Sequence, residues 1–204
     1  MKRLQAWILI GLAAGALAAL AVYFGVVNVA ADVPHSALVF AAMETVRDRS
    51  IAVRIGDIRV PRLDDPKLIR EGGEHYDAMC VDCHLAPGMR QSELREGLYP
   101  QPPDLTERID ASPAETFWVI KHGIKMSAMP AWGKTHDDEN IWGLVAFLQK
   151  LPELTPEQYA ALVHASDGDE HHRHHHDAAS ERGVEQPPHP YRRSDADERT
   201  DGQR

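Results

Sequence analysis

Between Ala6 and Ala31 no side chain carries a charge, in the run "AWILIGLAAGALAALAVYFGVVNVAA" that follows Lys2 and Arg3. A helix crosses a bilayer with roughly 20 apolar residues, and this run is longer. Basic residues in front and Asp32 behind place the front in the cytoplasm and send the rest of the chain outward. Val29-Ala30-Ala31 resembles the small-residue cleavage site of a signal peptide. The apolar core of such a peptide spans only about 7 to 15 residues, so a retained anchor is the reading taken. A buried helix of a soluble fold is a poor alternative, because the run has no polar face.

The remainder must therefore fold outside the cytoplasm. At 204 residues the chain has room for one modest domain with accessories. A formal net charge of -9 gives no expectation of nucleic-acid binding. The sequence divides into an anchor at 1–31, a membrane-proximal segment at 32–62, a helical domain at 63–155 and a polar tail at 156–204. In the second part Leu38, Ala41, Ala42, Thr45 and Val46 have helical spacing, and "SIAVRIGDIRV" alternates as a strand would. This part reads as a stalk resting on the domain or on the membrane surface.

Three helix starts mark the domain. Asp65-Pro66 supplies an N-cap and a proline at the first helical position, and Ser112-Pro113 with Glu115 forms a capping-box pattern. A third helix starts around Thr135–Asp138, with Ile141, Leu144, Val145 and Leu148 on one face. Gly72 and Gly73 interrupt the first helix at about 1 kcal/mol each relative to alanine, which suggests that another element comes close there. Trp118, Trp132 and Trp142 read as packing residues. No run demands a sheet.

The chain has two cysteines, Cys80 and Cys83, with His84 directly after them. A disulfide across so short a loop would staple little. A structural zinc site wants four ligands, and a thioredoxin-like site wants a strand before the motif. Covalent haem attachment through C-x-x-C-H remains. Residues three apart share a helical face, so both thiols can meet the two vinyl groups of one porphyrin edge while His84 offers a nitrogen to the iron. A second axial ligand would come from "KHGIKMSAMPAWG", where Met129, Met126 and His122 are candidates. Pro130 forces Met129 out of helix into an extended conformation, which favours it.

Residues 66 to 151 resemble the class I c-type cytochromes, the membrane-anchored bacterial mono-haem ones in particular. The resemblance rests on the spacing Gly72, Tyr76, Cys80, on the Cys80-Cys83-His84 motif, on "LAPG" and "PQPPDL", and on "MPAW". It implies an all-α, cytochrome c-like helical domain around one covalently attached haem c, behind an N-terminal transmembrane helix. It also implies that Gly72 and Tyr76 meet Leu144 and Phe147 where first and last helices cross. By the same resemblance the Pro103 carbonyl accepts a hydrogen bond from His84, Leu105 packs on the porphyrin, and Met129 is the sixth ligand.

The function expected is that of an electron carrier rather than an enzyme. Single electrons would pass between membrane or periplasmic redox proteins, with the haem domain on the periplasmic side of the bacterial cytoplasmic membrane. A haem enzyme or sensor with a displaceable methionine is the alternative. The tail holds His171, His172, His174, His175 and His176 among acidic residues, a composition that suits Cu, Ni or Zn. A solvated, disordered tail with adventitious metal affinity is the preferred reading of it.

Overall fold

The computed structural model describes residues 2–107 and 110–164. The His-rich tract lies outside them. The described residues form helices and turns, without a strand. Helix α1 (Lys2–Tyr23) is long and apolar enough to cross a membrane, with none of its apolar window buried inside the protein. At 1.5 Å per residue its 22 residues span about 33 Å, close to the hydrocarbon thickness of a bilayer.

Helix α2 (Ala37–Ala52) is capped by Ser36, whose Oγ accepts from the Val39 N–H. It takes in the first three residues of the run expected to form a strand, and the rest of that run is turn and coil, so that expectation fails. "SIAV" lacks a neighbouring strand, and its Ile51 is buried by continuing the helix. The side turned to the domain carries Phe40 and Ile51, while Leu38 and Val46 of the spaced row stay exposed. Phe40 faces the Tyr99 ring at 6.5 Å, and the His35 N–H donates to the Tyr99 hydroxyl at 3.1 Å. Helix α2 also packs on α6 (Pro113–His122).

Helix α3 (Pro66–Met79) begins at an Asp65 cap, where Oδ1 accepts from the Lys67 N–H at 2.9 Å. Its most extensive packing is against α7 (Asp138–Leu148), which starts at an Asp137 cap. A Cβ on Gly72 would run into the Gly143 carbonyl, so the two backbones touch at this crossing. Tyr76 and Phe147 pack just beyond it, with ring centroids 5.2 Å apart. Around them Ile141, Leu144, Val145 and Leu151 are almost fully enclosed. Each such side chain contributes about 1.5–3 kcal/mol relative to its exposed state. Trp142 stacks on Phe117 of α6 at 4.1 Å, which extends the core sideways.

The packed region continues past the boundary expected at residue 155. Helix α8 (Pro156–Val163) has a complete capping box between Thr155 and Gln158, and it packs on α3. Tyr159 and Val163 are buried, and the Tyr159 hydroxyl donates to Asp77 Oδ1 at 2.7 Å.

Candidate functional site: the cysteine-histidine turn and its methionine loop

The turn that carries the motif is built off the end of α3. Cys80 closes that helix, and the short helix α4 (Val81–His84) follows directly. The Cys83 and His84 amides both donate to the Cys80 carbonyl, at 3.1 and 2.8 Å. The two thiols therefore sit on one tight turn with the imidazole at its end. Leu85 then takes a left-handed backbone, φ 67°. That conformation costs a branched residue roughly 1–2 kcal/mol. It is held by burial of Leu85 and by the Tyr76 hydroxyl, which donates to the Leu85 carbonyl at 2.6 Å.

The two cysteines are not joined in a disulfide. Burial pushes the Cys80 thiol up to about 12, and burial also raises Cys83. Among the described residues no three His, Cys, Asp or Glu side chains converge as a metal site would need.

His84 Nδ1 lies 2.9 Å from the Pro103 carbonyl oxygen. A carbonyl can only accept, so Nδ1 carries the proton and Nε2 keeps its lone pair. Burial is the main reason that the His84 pKa is lowered, the nearby Arg95 cation adds to it, and the Pro103 bond opposes it. The result is a neutral, oriented imidazole with its outer nitrogen ready to donate to a metal. The Leu105 N–H donates back to the His84 carbonyl at 3.1 Å, which ties the 103–105 segment to the turn.

The methionine loop follows α6. Gly123 ends that helix with φ 64°, and a Cβ there would lie 2.7 Å from the Met129 carbonyl oxygen. The Ile124 N–H donates to the same carbonyl at 3.2 Å. The loop thereby turns Met129 inward against the hydrophobic core, where Cys80, Leu105 and Trp132 also pack. The other two candidates point away. Met126 is 89% exposed, and the exposed His122 rests its ring on Trp118 at 4.9 Å.

Three contributors were missed in the sequence. Gly143 is half of the helix crossing, and only the pairing of its helix with α3 makes it visible. Tyr159 lay in the stretch assigned to the tail, although the "TPEQ" capping pattern at 155–158 was a readable helix start. Arg95 keeps a buried Nε with no hydrogen-bond partner, while its Nη1 donates to Gln91 at 2.8 Å. Nothing in the sequence around Arg95 announces it.

A helix-bound pair of thiols, a neutral imidazole held by a proline carbonyl, and a crossing of first and last helices define a c-type cytochrome domain. Residues 67–148 match the family model of cytochrome c oxidase, cbb3-type, subunit III. No curated protein matches the chain. A domain of this class holds haem c with its iron and serves haem-based electron transfer. The donor set fits that group: two neutral thiols for its vinyls, a free Nε2 for its iron, and at Arg95 a leftover buried donor suited to a carboxylate.

Proposed function

We propose that the chain is a mono-haem c-type cytochrome, anchored by α1, that relays single electrons between redox proteins at the outer face of the cytoplasmic membrane. The observation that carries this reading is the His84–Pro103 bond, which fixes the tautomer that leaves Nε2 free on the turn holding both thiols. Cys80 and Cys83 would attach the cofactor by thioether bonds, His84 would bind the iron, and Met129 would be the sixth ligand. Arg95 would donate to a carboxylate of the porphyrin.

Once bound, the haem supplies a one-electron couple between ferric and ferrous iron. The protein's part would be to bind the iron through His84 and Met129 and to keep water away from it. Neutral His84 and Met129 leave the reduced state favoured, and burial acts in the same direction. Leu105 and Trp132 pack against the core, and such packing would limit rearrangement between the two states. The anchor confines the search for a partner to the plane of the membrane. The family that the domain matches is described as part of a cytochrome c oxidase, and a membrane oxidase is accordingly one class of electron acceptor to test.

The reading predicts a clean difference between the two methionines. Ferric Met129→Ala loses the weak long-wavelength band of methionine-to-iron bonding and its potential falls, whereas Met126→Ala keeps both. The denatured wild-type chain, made in a host that matures c-type haem, carries the mass of one haem, and Cys80→Ser/Cys83→Ser does not. A wild-type mass without haem, or identical spectra in the two methionine variants, contradicts the reading.

A further inference from the structure

Helix α2 is apolar on two sides, and the domain uses only one. Phe40 and Ile51 turn inward, but Leu38, Ala42, Val46 and Val53 recur at successive turns on the opposite side. Leu38 is 81% exposed, Val46 69% and Val53 76%. Val39 and Met43 widen the same stripe. An apolar side of a helix is normally covered, and this one is not covered by the domain.

What covers that side follows from the chain itself. Residues 24–36 join the end of α1 to the start of α2, thirteen residues. Thirteen residues reach no more than about 45 Å when fully extended, and a less extended linker lets α2 lie against the bilayer that α1 crosses. The linker is also apolar and open: Val26, Val27, Val29 and Val33 are all exposed. Exposed apolar residues thus continue from the membrane span toward the outer stripe of α2, with Asp32 the one charged side chain among them. Charge is arranged to match. The acids Glu44 and Asp48 lie off the stripe, each within ion-pair distance of Arg47. The one charged residue in the row is Arg49, whose cation can rise to lipid phosphates while its stem lies along the acyl chains.

We propose that α2 lies in the outer surface of the lipid bilayer, with Leu38, Ala42, Val46 and Val53 among the acyl chains and Arg49 at the phosphates. This rests on α1 being a retained anchor. Because the inner side of α2 packs on α6, the domain is then held in one orientation over the membrane and does not swing on a free tether.

The test uses the full haem-loaded chain in vesicles of phosphatidylethanolamine and phosphatidylglycerol. The photoreactive residue p-benzoylphenylalanine replaces Val46 in one variant, Val53 in a second and Asp48 in a third. The vesicles are irradiated, washed in alkaline carbonate and examined by mass spectrometry. The expected result is a mass shift of one phospholipid for the probes at 46 and 53, and none at 48. A chain removed by the carbonate wash overturns both the anchor and this assignment. A chain that stays with the membrane but shows no lipid adduct at 46 or 53, or cross-links to a second copy there, overturns the assignment alone.

Discussion

Tyr76 shows how much of the site rests on a single hydroxyl. It donates to the Leu85 carbonyl at 2.6 Å and lies 3.2 Å from the His84 carbonyl, so it holds the strained exit of the motif turn. Tyr76→Phe takes the hydroxyl donor from the buried Leu85 carbonyl, while the His84 carbonyl keeps the Leu105 N–H, and the loss costs about 1–3 kcal/mol. Denaturant unfolding should show that loss while haem attachment persists. Burial also raises the Tyr76 pKa, and burial together with the Asp77 bond raises that of Tyr159. Unfolded tyrosines ionise near 10, so the unfolded chain releases protons that the folded chain keeps. The stability from these two groups is complete below about pH 10 and declines as the pH rises above it. Unfolding curves from pH 9 to 11 should show the decline, and Tyr76→Phe/Tyr159→Phe should flatten it. The motif residues were legible in the sequence because they are local, Cys80, Cys83 and His84 lying on one short turn. Arg95 was not, since its significance lies in a buried nitrogen that only packing creates.

At the scale of helices, the α3–α7 crossing decides the fold. Gly72 meets backbone rather than a movable side chain, so a methyl group there can only push the helices apart. Overpacking of this kind costs about 1–3 kcal/mol, occasionally more. The built Cβ of Gly143 comes no closer than 3.2 Å, to the Leu68 carbonyl oxygen. There the gain in helix propensity of about 1 kcal/mol offsets much of the strain. Thermal melts should therefore place Gly72→Ala well below wild type and Gly143→Ala close to it. Equal melting temperatures would contradict the close crossing. The caps at Asp65, Ser112 and Asp137 were readable because a capping side chain acts within three residues. Helix α2 was half readable. Its spacing announced a helix, but spacing cannot say which of two apolar sides meets the domain.

For the molecule as a whole, the domain's end matters as much as its motif. Truncation after residue 155 removes Tyr159 and Val163 from the core, at about 1.5–3 kcal/mol for each apolar side chain lost. Truncation after residue 164 leaves every described helix intact. Chemical denaturation should find the longer form as stable as the full chain and the shorter one several kcal/mol weaker. Composition had drawn the boundary early because α8 is short and its burial depends on α3. The expectation for the His-rich tract stays a matter of composition.

An optical redox titration of the full chain tests the electron-carrier account most directly. The account predicts one single-electron transition, low-spin spectra in both oxidation states and no binding of carbon monoxide at neutral pH. A high-spin ferric spectrum, with a ferrous form that takes up carbon monoxide, would contradict it.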